Sequence, residues 1–143
     1  MILYLDTSAL VRSYIEEEGH AVIVAALHRA QQTATHLIAY AETRAALARI
    51  ERMQRIGKKE LAKVRNAFES DWRAMLHILP TEALVRRAGD LADQFGLRGY
   101  DSVHLAAAES LAIDLRYPIH FASFDGALNT AADTLGLRTL IPA

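Results

Sequence analysis

Met1-Ile2-Leu3-Tyr4-Leu5-Asp6-Thr7-Ser8 opens the chain and decides its fold. The uninterrupted β-prone apolar run from Ile2 to Leu5 is typical of a strand buried on both faces of a parallel sheet. It ends abruptly on Asp6, which two hydroxyl residues follow. Ligands of open parallel sheets bind beyond the carboxyl ends of the strands, so this position predicts a functional acid. The alternative is that Asp6, Thr7 or Ser8 only caps the helix that follows.

Outward from this strand, helical and strand-like patterns alternate along the chain. Helical spacing of apolar side chains predicts helices at residues 8–18, 20–32, 37–55, 58–76, 81–95, 101–115 and 125–135. Short β-prone runs predict strands at 33–36, 77–79, 119–124 and 138–141, and Arg98-Gly99-Tyr100 reads as a turn. This alternation predicts a three-layer α/β domain with a mainly parallel central sheet.

Length and composition narrow the class of protein. A chain of 143 residues, 52% of them hydrophobic, fits a single domain over residues 1–143. It contains no cysteine, which excludes disulfides and thiolate metal sites. No apolar run approaches the ~20 residues that a membrane helix needs. We therefore expect a cytoplasmic protein with no membrane association.

Charge is distributed unevenly along the sequence. The net charge is −1, but Arg44 to Arg65 holds eight cations against two acids, a local balance of +6 that leaves −7 elsewhere. Such a layout is able to steer a polyanion towards one face. The alternative is a solvated pair of helices whose lysines and arginines only keep it soluble.

Four acids lie at sequence positions where a carboxylate is expected to have a functional role or a partner. Asp6 and Asp125 follow predicted buried strands, and Asp101 opens an almost wholly apolar helix. Glu42 lies one turn into the long helix, on the side expected to face inward, where an acid is rarely found without a partner. Each also has a structural explanation, because Asp101 and Asp125 are good N-caps and Glu42 could pair with Arg49 or another base.

If these acids converge at one sheet edge, they would have to take up protons or bind cations. Two carboxylates ~4 Å apart repel by about 4 kcal/mol at an effective dielectric constant near 20. Oxygen ligands favour hard ions, so Mg²⁺ or Mn²⁺ is the expected occupant. Zinc is disfavoured, because there is no cysteine and the six histidines show no H-x-x-x-H pairing. One or two such ions would activate a water for phosphodiester hydrolysis.

Several motifs, in order along nearly the whole chain, resemble those of PIN domains, and most of all the VapC-type ribonuclease toxins of toxin–antitoxin pairs. The matching stretches are Tyr4-Leu5-Asp6-Thr7-Ser8-Ala9-Leu10, Ala41-Glu42, Tyr100-Asp101-Ser102-Val103-His104-Leu105-Ala106-Ala107-Ala108, Phe121-Ala122-Ser123-Phe124-Asp125, and Ala131-Ala132 before Gly136-Leu137.

The resemblance implies a PIN-like fold and a Mg²⁺- or Mn²⁺-dependent endoribonuclease that acts as a toxin on an RNA substrate. It makes four acids the catalytic and metal-binding set, with the first and third in direct metal contact: Asp6, Glu42, Asp101 and Asp125. It gives Ser8 and Ser123 supporting roles, although Ser123 stands where threonine is more frequent. His104 matches a common histidine, but its apolar neighbours favour a packed, hydrogen-bonded core residue. A homodimer and a cognate VapB-like antitoxin are the implied partners.

Other functions remain open at this point. Phosphatases of the haloacid dehalogenase type also begin with an acid after a buried strand, but they need a second aspartate two residues on, where this chain has Ser8. A phospho-receiver domain would require paired amino-terminal acids and a late lysine after a strand. A catalytically silent PIN-like scaffold that only binds a partner is the main alternative, and the presence of all four acids argues against it.

Overall fold

The computed structural model describes residues 1–142, which form a parallel sheet flanked by helices. The strands are β1 (Ile2–Leu5), β2 (Gln32–His36), β3 (Leu76–Ile78), β4 (Ile119–Ala122) and β5 (Arg138–Thr139). The helices are α1 (Thr7–Tyr14), α2 (His20–Arg29), α3 (Ala39–Arg52), α4 (Lys58–Ala74), α5 (Glu82–Phe95), α6 (Gly99–Leu115) and α7 (Gly126–Thr134).

Strand β1 occupies the centre of the sheet, whose order is β3-β2-β1-β4-β5. It pairs with both neighbours, Leu3 standing opposite Thr33 of β2 and His120 of β4. Every pairing in the sheet is parallel, so the predicted α/β class is confirmed and the sheet is wholly rather than mainly parallel. Parallel strands place their carboxyl ends at one edge.

The two faces of β1 pack into different hydrophobic clusters, which explains its continuous apolar sequence. Tyr4 packs with residues of α5, α6 and α7, and Leu3 and Leu5 pack on the other face with residues of α1 and α2. All three side chains are fully buried. Helices on both faces of a parallel sheet give the predicted three layers.

Helix α6 begins earlier than the sequence pattern indicated. Arg98 is the extended N-cap residue, and its carbonyl accepts a 3.0 Å hydrogen bond from the Ser102 amide, so Gly99 is already helical. The prediction of a separate turn at 98–100 is therefore wrong, because Gly99 and Tyr100 continue into the helix without strain. Asp101 consequently lies within the first turn, where the helix dipole favours a carboxylate, and does not cap the helix.

The basic segment predicted between residues 44 and 65 spans the end of α3 and the start of α4. Leu47 and Ile50 of α3 pack against Leu61 of α4, which joins the two helices. Lys58, Lys59 and Lys63 are exposed. Within residues 1–142, no helix combines the length and hydropathy needed to cross a membrane.

Candidate active site

The four predicted acids lie together at the carboxyl edge of the sheet. Asp6 follows β1 and Asp125 follows the adjacent strand β4, while α3 supplies Glu42 and α6 supplies Asp101. All four line one cleft with a volume of about 240 Å³. A hydrogen bond of 3.0 Å from the Asp6 amide to the Ala122 carbonyl fixes the two strand ends to each other. Their catalytic role stays a prediction, but the structure does bring them together.

Asp6 is the most buried of the four acids, with only 4% of its surface exposed. Its Oδ1 accepts hydrogen bonds from the Ser8 hydroxyl (2.6 Å) and from the Ala9 amide (3.0 Å). Burial raises the pKa of Asp6, and hydrogen bonds from Ser123 and Ser8 only partly offset this effect. Asp6 therefore caps α1 and faces the cleft as well, so the two sequence interpretations are compatible.

Glu42 is held by donors from two other elements. The Thr7 hydroxyl donates to Glu42 Oε1 at 2.7 Å, and His104 Nε2 lies 2.9 Å from the same oxygen. Burial alone would raise the pKa of Glu42, but the hydrogen bonds from His104 and Thr7 outweigh it and the pKa is lowered. His104 is itself 2% exposed and hydrogen-bonded, as its apolar neighbours predicted. The suggested pairing of Glu42 with Arg49 is not formed.

Asp101 and Asp125 share a single arginine. Arg98 Nε donates to Asp101 Oδ2 at 3.1 Å, and Arg98 Nη2 lies 3.6 Å from Asp125 Oδ2. The Arg98 side chain is 82% exposed. Asp125 also caps α7, because its Oδ1 accepts from the Leu128 amide at 2.9 Å. These two acids are thus partly exposed, at 21% and 33% of their side chains, and are linked by a single, highly exposed arginine.

The two predicted supporting serines fix the loops that carry the acids. The Ser8 hydroxyl accepts a 3.0 Å hydrogen bond from the Phe124 amide while it donates to Asp6, which joins the turns after β1 and β4. Ser123 is fully buried, and its hydroxyl accepts from the Asp125 amide at 3.0 Å. Both hydroxyls therefore hold the positions of neighbouring carboxylates.

Four cleft residues were not singled out as functional from the sequence: Thr7, Arg12, Arg98 and Phe124. Arg12 lies 4.1 Å from the Phe124 ring centre and donates to the Ser8 and Glu18 carbonyls. The spacing of Arg98 three residues before Asp101 was a usable signal for a local ion pair. No sequence signal identifies the contact of Arg12 with Phe124, because it depends on the pairing of distant strands.

Negative charge dominates the cleft. Its four carboxylates outnumber its two guanidinium groups, so it would repel a phosphodiester unless a further cation entered. Carboxylate and hydroxyl oxygens are the ligands that Mg²⁺ and Mn²⁺ prefer. Among residues 1–142, no group of three or more His, Asp or Glu side chains is arranged to hold one ion as it stands. The donor types fit a hard cation. In this conformation Arg98, and not an ion, bridges Asp101 and Asp125.

Comparison with known proteins identifies the family. The PIN domain model matches residues 3–133, and the chain belongs to the PIN domain family. Ribonuclease VapC45 of Mycobacterium tuberculosis (strain CDC 1551 / Oshkosh) is 32% identical over 137 residues, covering 96% of this chain and 93% of the relative. Ribonuclease VapC46 of strain ATCC 25618 / H37Rv is 32% identical over 144 residues, covering 99% of this chain and 98% of the relative. The resemblance inferred from the motifs is confirmed.

Solved structures with the same fold include FitAcB from Neisseria gonorrhoeae, with a TM-score of 0.66 and 20% identity over 99% of this chain and 98% of that one. A toxin–antitoxin complex from Klebsiella pneumoniae gives a TM-score of 0.54 at 18% identity, covering 82% of this chain and 83% of that one. At these identities the likeness concerns the fold, which is that of a PIN domain.

Proposed function

We propose that this protein is a divalent-metal-dependent endoribonuclease that acts as the toxin of a type II toxin–antitoxin pair. The observation that carries the proposal is the convergence of four carboxylates, from β1, α3, α6 and the end of β4, on one cleft. Membership of the PIN domain family and the two ribonuclease relatives support the same activity.

In this proposal Asp6, Glu42, Asp101 and Asp125 hold Mg²⁺ or Mn²⁺. When bound, the ion supplies a Lewis acid that activates a water and neutralises negative charge on the phosphodiester. Asp6 and Glu42 are already fixed by hydrogen bonds from within the fold. Asp101 and Asp125 would exchange their contact with Arg98 for the ion, which would leave the exposed guanidinium free to contact an RNA phosphate.

A cognate VapB-like antitoxin and a second copy of the chain are the proposed protein partners, both on the strength of the resemblance to VapC-type toxins. The basic segment has a separate position, since the described residues that line the acidic cleft include none from 44–65. Its exposed lysines would contact RNA phosphates remote from the cleaved bond or an acidic partner segment. A cytoplasmic location remains a prediction.

A catalytically silent PIN scaffold is the second candidate, and one observation favours it. In the conformation described, Arg98 ties Asp101 to Asp125, and the acids of residues 1–142 form no ready ligand cage. If that arrangement were permanent, the cleft would bind neither metal nor RNA. The two candidates therefore differ in whether a divalent ion displaces Arg98.

Cleavage of structured RNA by the purified, antitoxin-free protein tests the proposal. We expect cleavage with Mg²⁺ or Mn²⁺, none with chelator, and none in the Asp6→Asn variant. Asn keeps an oxygen for the Ser8 and Ala9 donors, so this variant should fold. Asp93→Asn, an exposed change on α5, is the matched control. A folded wild type that binds no Mn²⁺ would instead identify the silent scaffold.

A further inference from the structure

A buried line of polar groups runs from the middle of the sheet to the acidic cleft. The Tyr4 hydroxyl lies 2.8 Å from His104 Nδ1, and His104 Nε2 lies 2.9 Å from Glu42 Oε1. Tyr4 is fully buried and His104 is 2% exposed, so water cannot replace these partners. The metal-binding chemistry proposed above does not itself use Tyr4 or His104.

The neighbours of His104 determine which ring nitrogen carries the proton. Glu42 as a carboxylate only accepts hydrogen bonds, so His104 Nε2, at 2.9 Å, must be the donor. In the neutral ring Nδ1 is then an acceptor, and the Tyr4 hydroxyl at 2.8 Å supplies the proton that it accepts. Thr7 donates to the same Glu42 oxygen at 2.7 Å, and its own oxygen, 3.3 Å from His104 Nε2, is a second and more distant acceptor for the Nε2 proton.

The two oxygens of Glu42 are treated differently by the fold. Oε1 accepts from both Thr7 and His104, whereas Oε2 accepts no hydrogen bond from residues 1–142. The Glu42 side chain is 24% exposed and lines the cleft. One oxygen thus anchors the carboxylate to the core, and the other is left for a ligand from the cleft.

We propose that His104 is a positioning residue that anchors Glu42 through its Nε2–H, and that the Tyr4 hydroxyl, by donating to Nδ1, holds the ring in the position that makes this possible. The inference rests on the proposed function, in which Glu42 is a metal ligand. Groups that orient metal ligands in this way commonly change metal affinity by about 10–100-fold when they are removed. The same loss is expected here for any change that removes the Nε2–H donor.

Two amide substitutions test the two ring nitrogens of His104 separately. The side-chain nitrogen of Gln reaches the position of Nε2, so His104→Gln keeps a donor to Glu42. The shorter His104→Asn reaches only the position of Nδ1 and keeps the contact with Tyr4. Calorimetric titration with Mn²⁺ should therefore show affinity within about 3-fold of wild type for His104→Gln and about 10–100-fold weaker for His104→Asn. Equal affinities in the two folded variants would overturn the proposal.

The tautomer is measured directly, without metal, by ¹⁵N NMR of histidine-labelled protein. We expect the proton of His104 on Nε2 in the wild type and also in Tyr4→Phe, because the Glu42 carboxylate only accepts hydrogen bonds. A proton on Nδ1 in the wild type would overturn the proposal, and this result does not depend on whether the histidine variants fold. A wild type that shows the Nε2 tautomer but binds no Mn²⁺ would refute the proposed function, whereas Mn²⁺ binding unaffected by His104→Asn would refute only the role of His104.

Discussion

The inner and outer halves of the acidic cleft are held by different kinds of interaction. The inner half, Asp6 and Glu42, is fixed by hydroxyl, amide and imidazole donors of the fold. The outer half, Asp101 and Asp125, is linked by the guanidinium of Arg98, which is 82% exposed. The inner half is therefore preorganised in the folded chain. In the outer half only Asp125 Oδ1 is fixed, by the Leu128 amide, and the two Oδ2 atoms are joined by a charge that another cation can replace.

The difference lies in the partners, because Glu42 and Asp101 are similarly exposed, at 24% and 21% of their side chains, whereas the Arg98 side chain is 82% exposed. A buried carboxylate left without donors is costly, so the chain must provide them permanently. Exposed ion pairs contribute at most about 1 kcal/mol, because water and salt compete for both partners. A divalent ion therefore has to displace only a weak contact at Asp101 and Asp125, and finds Asp6 and Glu42 already in place.

The largest effect is expected on RNA cleavage when either half loses a carboxylate. Glu42→Gln and Asp101→Asn should each lower the rate by about 10²–10³-fold, the usual cost of removing one preorganised electrostatic group. Single-turnover cleavage in Mn²⁺ measures this, with Asp93→Asn as the control. If Asp101→Asn cleaved RNA at the wild-type rate, the outer half would not be needed, and Asp6 and Glu42 alone would support the reaction.

The packing of Phe124, which lines the cleft, against Gly19 should contribute to stability. Its φ of +93° is left-handed, and an added Cβ would lie 2.3 Å from the Phe124 ring, next to Asp125. Gly19→Ala should lower the free energy of unfolding by about 2–3 kcal/mol, from backbone strain and overpacking.

Gly89 offers the matched control for this measurement by urea unfolding. It lies exposed within α5, and a Cβ there meets nothing within 4 Å. Gly89→Ala should stabilise the protein by about 0.4–1 kcal/mol, because alanine favours helix. Equal stabilities of the two variants would mean that Phe124 moves freely away from the cleft wall.

In the absence of metal, Asp6→Asn should raise the free energy of unfolding by about 1 kcal/mol. The charge of Asp6 is buried and its pKa is raised, so the ionised form opposes folding at neutral pH. The amide oxygen retains the Ser8 and Ala9 donors.

Urea unfolding in chelator tests the Asp6 prediction, and Asp101→Asn, which weakens only the contact with the exposed Arg98, should be close to neutral. Addition of Mn²⁺ should then stabilise the wild type and not Asp6→Asn. A destabilised Asp6→Asn in chelator would contradict the prediction and show that the negative charge of Asp6, which the capping oxygen of Asn does not supply, stabilises the fold.

The smallest effect should come from Arg98. Arg98→Gln removes the cation that competes for Asp101 and Asp125, and should tighten Mn²⁺ binding about 2–5-fold at low salt, with a smaller gain as salt increases. Arg86→Gln removes a similar exposed ion pair, to Glu82 on α5, and serves as the control in calorimetry. Weaker binding by Arg98→Gln would show that Arg98 supports the metal site.

The order of the strands and helices and the identity of the cleft acids were predictable from local sequence. The apolar run of β1, the alternation of helical and strand-like patterns, and the acids after the strands predicted the element order and a set of acids that share one cleft. The start of α6 was misplaced because Gly99 tolerates both turn and helix. The bridge made by Arg98 was missed because its second partner, Asp125, lies on another loop.

The sequence by itself determined a buried central strand ending in an acid, because apolar continuity and chain direction are local properties. Only the tertiary structure decided how the acids are held. His104 and Glu42 are 62 residues apart, and Ser8 and Phe124 are 116 residues apart, yet each pair is hydrogen-bonded. Such contacts depend on strand order and helix packing, which bring distant segments within hydrogen-bond distance. They therefore determine which donors hold each carboxylate and where its oxygens lie.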